Sequence, residues 1–173
     1  DWWILQPEIS TNRFYRFLFT PEGLRLIGTQ TIGIPVEEGL GQVTYTPDGS
    51  KYIRVKNTRL NEPAQVDIYD FDRCTGLLSN QLTIIRDYEG FKFGIGVSCS
   101  PDSRYLYVMQ AIYAYQYDLL APEIAATETV IGMHDGFRSM SYPDYFWLGQ
   151  LAPDGRIYVG TVNTGRHLSY IKH

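Results

Sequence analysis

The sequence is poor in cysteine, in histidine and in cationic charge. Its 173 residues hold two Cys and three His. Cys74 and Cys99 cannot supply the four clustered ligands of a structural zinc site, and His134, His167 and His173 form no pair with metal-ligand spacing. No metal and no cofactor is expected. Fifteen Lys and Arg stand against nineteen Asp and Glu, for a net charge of −4 and a pI of about 5.3. No basic stripe is present, which excludes nucleic acid as a partner. No apolar run approaches the roughly 20 residues of a spanning helix, so no membrane insertion is expected. Helical periodicity is missing too; the one candidate, 119–126, is interrupted by Pro122. No signal-peptide pattern is read at the start, where Asp1-Trp-Trp-Ile-Leu5 is already strand-like.

What the chain has is tyrosine, 14 of them, and a repeated hairpin. Thr44-Tyr-Thr-Pro-Asp-Gly-Ser-Lys-Tyr-Ile-Arg-Val55 returns as Val97-Ser-Cys-Ser-Pro-Asp-Ser-Arg-Tyr-Leu-Tyr-Val108. It returns again as Gly149-Gln-Leu-Ala-Pro-Asp-Gly-Arg-Ile-Tyr-Val159. Each copy reads strand, tight turn, strand. Proline pre-sets the backbone at the second turn position, Asp caps the turn, and Gly tolerates the exit conformation. The β-branched and aromatic run that follows suits a strand. The turn prolines Pro47, Pro101 and Pro153 are 54 and 52 residues apart. A hairpin repeat of that period predicts an all-β chain, a β-propeller segment of about three to four blades of four-stranded antiparallel sheets.

The strand pattern divides the chain into a partial blade at 1–36, full blades at 37–86 and 87–132, and a partial blade at 133–173. Three, four, four and three strands are predicted. The simplest reading is a piece of a larger propeller. The rival, a four-bladed ring closed by the two partial blades, would put six strands where one blade needs four. Gly94 and Gly96, with Gly39, Gly41 and Gly149 near equivalent places, fall in the predicted inner strands, where blades crowd the channel.

Several segments carry a family resemblance: Asp1-Trp-Trp-Ile, Arg13-Phe-Tyr with Thr20-Pro-Glu-Gly, and Tyr69-Asp-Phe-Asp-Arg-Cys-Thr-Gly-Leu-Leu-Ser-Asn80. Cys99-Ser-Pro-Asp-Ser-Arg-Tyr-Leu-Tyr-Val, Tyr115-Gln-Tyr-Asp-Leu and Ala152-Pro-Asp-Gly-Arg-Ile-Tyr-Val add to them. Together they resemble the WD40-like propeller regions of large secreted or surface proteins of Bacteroidota, which often bear a type IX secretion sorting domain. The resemblance implies export to the cell surface or medium, a longer parent protein and no assigned catalysis. In a secreted propeller, Cys74, after a third strand, and Cys99, ending the next blade's first strand, would lie on one face. A disulfide there would close a 24-residue loop and contribute about 3 kcal/mol. The alternative is two free thiols.

Candidate site residues sit on the connections that share the face commonly used for ligands, 56–64, 86–90 and 133–145. They are Arg59, Asp87, Tyr88, His134, Arg138, Tyr142 and Tyr145, types frequent in binding hot spots. His134-Asp135 would serve as a general base, but no Ser or Cys stands in a nucleophile elbow. Asp48, Asp102 and Asp154 read as turn caps. A calcium site built from Asp67, Asp70, Asp72 and Asp87 lacks loop spacing. The sequence therefore reads as a non-enzymatic scaffold that binds a protein or glycan partner, or further blades of its parent chain. The alternatives are a propeller hydrolase of the lactonase type and a structural subunit assembling through open sheet edges. Against catalysis, the predicted inner strands Gly41–Tyr45, Phe93–Cys99 and Trp147–Leu151 offer no acid or histidine to the channel.

Overall fold

The computed structural model describes residues 1–35, 41–56, 63–86, 95–138, 143–162 and 167–172. It contains four antiparallel sheets. The first is β1 (Trp2–Pro7), β2 (Arg13–Thr20) and β3 (Gly23–Thr31), and the second is β4 (Val43–Tyr45), β5 (Lys51–Lys56), β6 (Ala64–Asp72) and β7 (Leu77–Arg86). The third is β8 (Ile95–Cys99), β9 (Tyr105–Gln110), β10 (Tyr113–Asp118) and β11 (Thr129–Met133); the last is β12 (Phe146–Leu151), β13 (Ile157–Thr161) and β14 (Ser169–Ile171). Every strand pairs with its neighbour in sequence, and the first and last sheets remain separate. The arrangement is a partial β-propeller. A 3₁₀ turn, Ile124–Thr127, follows Pro122 in the segment where a helix was conceivable.

The repeated motif folds as its chemistry dictates. In each copy the residue after Asp has a positive φ: Gly49 at 69°, Ser103 at 64° and Gly155 at 79°. Asp48 Oδ1 accepts the Ser50 amide at 3.0 Å, Asp102 Oδ1 the Arg104 amide at 3.1 Å, and Asp154 Oδ1 the Arg156 amide at 3.1 Å. The turn-cap reading of these three acids holds. The proposed calcium acids have separate duties. Asp67 is buried against Arg54, Asp70 accepts from Lys51 and Asn80, and Asp72 caps the turn at Cys74. Asp87 lies outside the described residues.

Strands β5, β6, β8 and β9 of the middle blades bury both faces, which is why their sequence alternates so poorly between apolar and polar. On β5, Ile53 and Val55 join a core with Val97, Leu106 and Val108 of the third blade. Tyr52, on the opposite face, packs with Phe14 of the first blade. On β9, Leu106 and Val108 face the second blade, while Tyr107 and Met109 pack against Ile157 and Val159 of the fourth. Irregular β6 resolves the same way: Val66 and Ile68 enter one core and Tyr69 the other. Strand β7 runs from Leu77 to Arg86 through a register shift opposite Ile68 and Asp70, where Asn80 adopts a φ of 49°.

The inner strands meet at Gln42. Its Oε1 accepts the Val97 amide at 2.9 Å and the Gly149 amide at 3.2 Å, while Nε2 donates to the Gly149 carbonyl at 2.7 Å. One side chain thus ties the innermost strands of three blades. Gly96 is required beside it, because a Cβ there would stand 2.1 Å from the Trp147 carbonyl oxygen.

The expected disulfide is absent: Cys74 and Cys99 are both free. Cys74 is exposed in the β6–β7 turn, whereas Cys99 is buried in the core between the second and third blades. Burial pushes the Cys99 thiol up to about 12, so it stays protonated and inert. A thiol reagent is expected to label Cys74 in the native protein and Cys99 only after unfolding, giving two thiols without reduction. Gln42→Ala removes three hydrogen bonds and strands two inner amides, and urea titration should show a loss of about 2–3 kcal/mol.

Candidate functional site

Two connections build one cleft, one joining the third and fourth blades and one within the fourth. Residues 134–138 and 143–145 lie between β11 and β12, and 167–168 lie between β13 and β14. The backbone pins them. The His134 amide donates to the Ile112 carbonyl at 2.7 Å, the Phe146 amide to Ala111 at 2.8 Å, and the Val162 amide to Tyr145 at 3.0 Å. Ala111 is fully buried with a φ of 41°, a strained conformation for a residue with a Cβ, held because both neighbouring connections hydrogen-bond around it.

The cleft has a volume of about 310 Å³, and its lining includes His134, Asp135, Phe137, Asp144, Phe146 and His167. His134 is half-buried, edge-on to Tyr145 at 5.2 Å and Phe146 at 6.2 Å between ring centroids. Its Nδ1 accepts the Gly136 amide at 3.0 Å. The neutral ring therefore carries its proton on Nε2. That nitrogen is buried and has no hydrogen-bond partner among the described residues. His167 is exposed and stands edge-on to Phe137, 4.7 Å between centroids. Asp135 caps the turn by accepting the Phe137 amide at 2.9 Å, and Asp144 is buried, its amide donating to the Phe137 carbonyl at 3.3 Å. Two imidazoles and two carboxylates thus share one opening. No group of three or more metal-ligating side chains occurs among the described residues. The clefts of about 720 and 620 Å³ elsewhere have no histidine in their lining.

Of the sequence candidates, His134 and Tyr145 come together here. Arg138 is exposed on the same connection, where it bridges Pro143 through the backbone. Arg59, Asp87, Tyr88 and Tyr142 lie outside the described residues. Sequence reasoning passed over Asp144, which stands on the same connection, and His167, which comes from another hairpin. The available signal was the pairing of an acid with Tyr145 directly before a strand, opposite the only other internal histidine.

Comparison with known proteins places the fold. No family model matches the chain. Over 91% of its length it superposes on a candidate 6-phosphogluconolactonase from Bacteroides uniformis ATCC 8492, with a TM-score of 0.58 and 21% identity. A periplasmic gluconolactonase from Pseudomonas aeruginosa matches 95% of the chain with a TM-score of 0.60 and 12% identity. This chain has the fold of those propellers. It is also 26% identical over 147 residues to eukaryotic translation initiation factor 3 subunit I of Lodderomyces elongisporus. The chain spans 43% and 50% of the two solved propellers and 39% of the initiation-factor subunit. The expectation that the chain is no enzyme is corrected by these neighbours, since propellers sharing its fold are described as lactonases. That expectation searched the inner strands for acids and histidines; the structure delivers them from the connections instead.

Proposed function

We propose that this chain is a section of a propeller hydrolase of the lactonase type, with its reacting groups in the His134–His167 cleft. The observation that carries the reading is the convergence of two imidazoles and a buried carboxylate at the connection face of the propeller. The lactonase descriptions of its structural neighbours support it. In the reaction, the His134 ring forms part of the wall against which the lactone packs, with its buried Nε2 turned away from the opening. His167 takes a proton from water as the hydroxide adds to the carbonyl carbon. The ring C–O bond then breaks, and the imidazolium of His167 returns its proton to the departing ring oxygen, leaving a hydroxy acid. Phe137 and Phe146 supply an apolar wall for the ring carbons.

The test is acid release from glucono-δ-lactone above its spontaneous rate, using the full parent chain. His167→Asn is expected to lower kcat/KM about 100-fold, whereas His134→Phe, which keeps the ring contacts with Tyr145 and Phe146, should change it little. Unaltered melting temperatures would assign the loss to chemistry. A wild-type rate equal to the spontaneous one sinks the proposal.

A second reading, a surface that binds a protein or glycan partner, draws on the likeness to the initiation-factor subunit. It also draws on the exposed Arg138 and Phe137 at the same opening. The secreted or cell-surface location, and the type IX route, rest on the family resemblance of the sequence. Recovery of the parent protein from the cytosolic fraction alone would overturn that location.

A further inference from the structure

Between the first and second blades lies a cluster of buried polar groups that neither the fold nor the cleft uses. Arg54 is 6% exposed and Asp67 fully buried, facing one another across β5 and β6. Arg54 Nη2 donates to Asp67 Oδ2 at 2.5 Å. The carboxylate is then saturated: Gln65 Nε2 reaches both oxygens at 2.9 Å, Thr83 Oγ1 reaches Oδ1 at 2.8 Å, and Gln81 Nε2 reaches it at 3.3 Å. On the guanidinium, by contrast, Nε and Nη1 are buried with no partner among the described residues.

The next row of the same sheet face repeats the shortage. Tyr52 and Tyr69, paired across β5 and β6, are fully buried, and neither hydroxyl has a partner among the described residues. Tyr45, edge-on to Tyr52 at 5.3 Å, also has a buried hydroxyl without one. Phe14 closes the cluster from the first blade, 6.1 Å from the Tyr52 ring and 5.7 Å from the Arg54 guanidinium carbon. Burial pushes the Tyr52 hydroxyl far above its usual range, and those of Tyr45 and Tyr69 up to about 12. All three therefore remain protonated donors at any physiological pH. A buried donor left unmet costs about 1–3 kcal/mol, and native proteins rarely tolerate several together. The cluster holds three free N–H bonds on Arg54 and three O–H groups, while its one carboxylate has no lone pair to spare.

We infer that Arg54 and Tyr52, flanked by Tyr45 and Tyr69, form an internal site for a halide-sized inorganic anion between the first two blades. A water molecule would bring two donors of its own to six donors that have no partner among the described residues; a monatomic anion brings none. The charge is tolerable because Asp67 spreads its own over five donated contacts, leaving two guanidinium nitrogens unengaged.

The test is thermal unfolding of the parent chain across a chloride titration, with ionic strength held constant by sulfate. A saturable rise in Tm with chloride is expected, and Tyr52→Phe, which keeps the ring and removes one donor, should abolish it. Bromide-soaked crystals of the wild type decide the matter even if the variant folds poorly. An anomalous peak within hydrogen-bond distance of Arg54 and Tyr52 is the expected result. Equal Tm values in the two salts, or water density at that place with no bromide peak, would overturn the inference.

Discussion

The inner strands of a propeller converge, and their backbones must meet without room for side chains. In this chain that constraint is met by one amide. Gln42 reaches from the second blade to the inner strands of the third and fourth, satisfying two N–H groups and one carbonyl that face the channel. Everything outward depends on it. With β4, β8 and β12 held at a fixed approach, the faces of neighbouring sheets close on one another, and Gly96 admits the Trp147 backbone that completes the contact. The outer pairings then follow locally, strand after strand, with short connections.

The sequence displayed this architecture because each blade is written in local chemistry. A Pro-Asp turn with a residue able to take positive φ announces a hairpin regardless of what packs on it, and three such turns at an even spacing announce repetition. Cores between blades were legible as well, once Tyr-Ile-Arg-Val and Tyr-Leu-Tyr-Val are understood as strands serving two cores at once. What local chemistry does not encode is which distant residues end up opposite each other. Cys74 and Cys99 lie on adjacent blades, yet one faces water and the other a core, and no sequence spacing distinguishes those fates.

The candidate site was harder to read for the same reason. His134 and Tyr145 belong to one loop and could be paired on sight. His167 comes from another hairpin, and Asp144 became notable only through its burial beside them. Looking for reacting groups on inner strands was a sound use of propeller geometry, but here the histidines and acids that line the cleft stand on connections. The strained backbone at Ala111 shows how firmly those connections are held.

A sheet buried on both faces has no inside and outside. In most β-proteins, a slip of one residue along a strand turns the apolar side to water. On β5 or β9 the same slip would exchange the residues offered to the left-hand and right-hand neighbours, Tyr52 for Ile53 or Tyr107 for Val108. Solubility would survive, but the shapes would no longer interlock. The middle blades are therefore protected from misregistration by volume and ring size rather than by polarity. In the second blade the tyrosines carry this distinction: Tyr52 and Tyr69 make the face turned to the first blade the bulky one, while Ile53, Val55, Val66 and Ile68 fill the other.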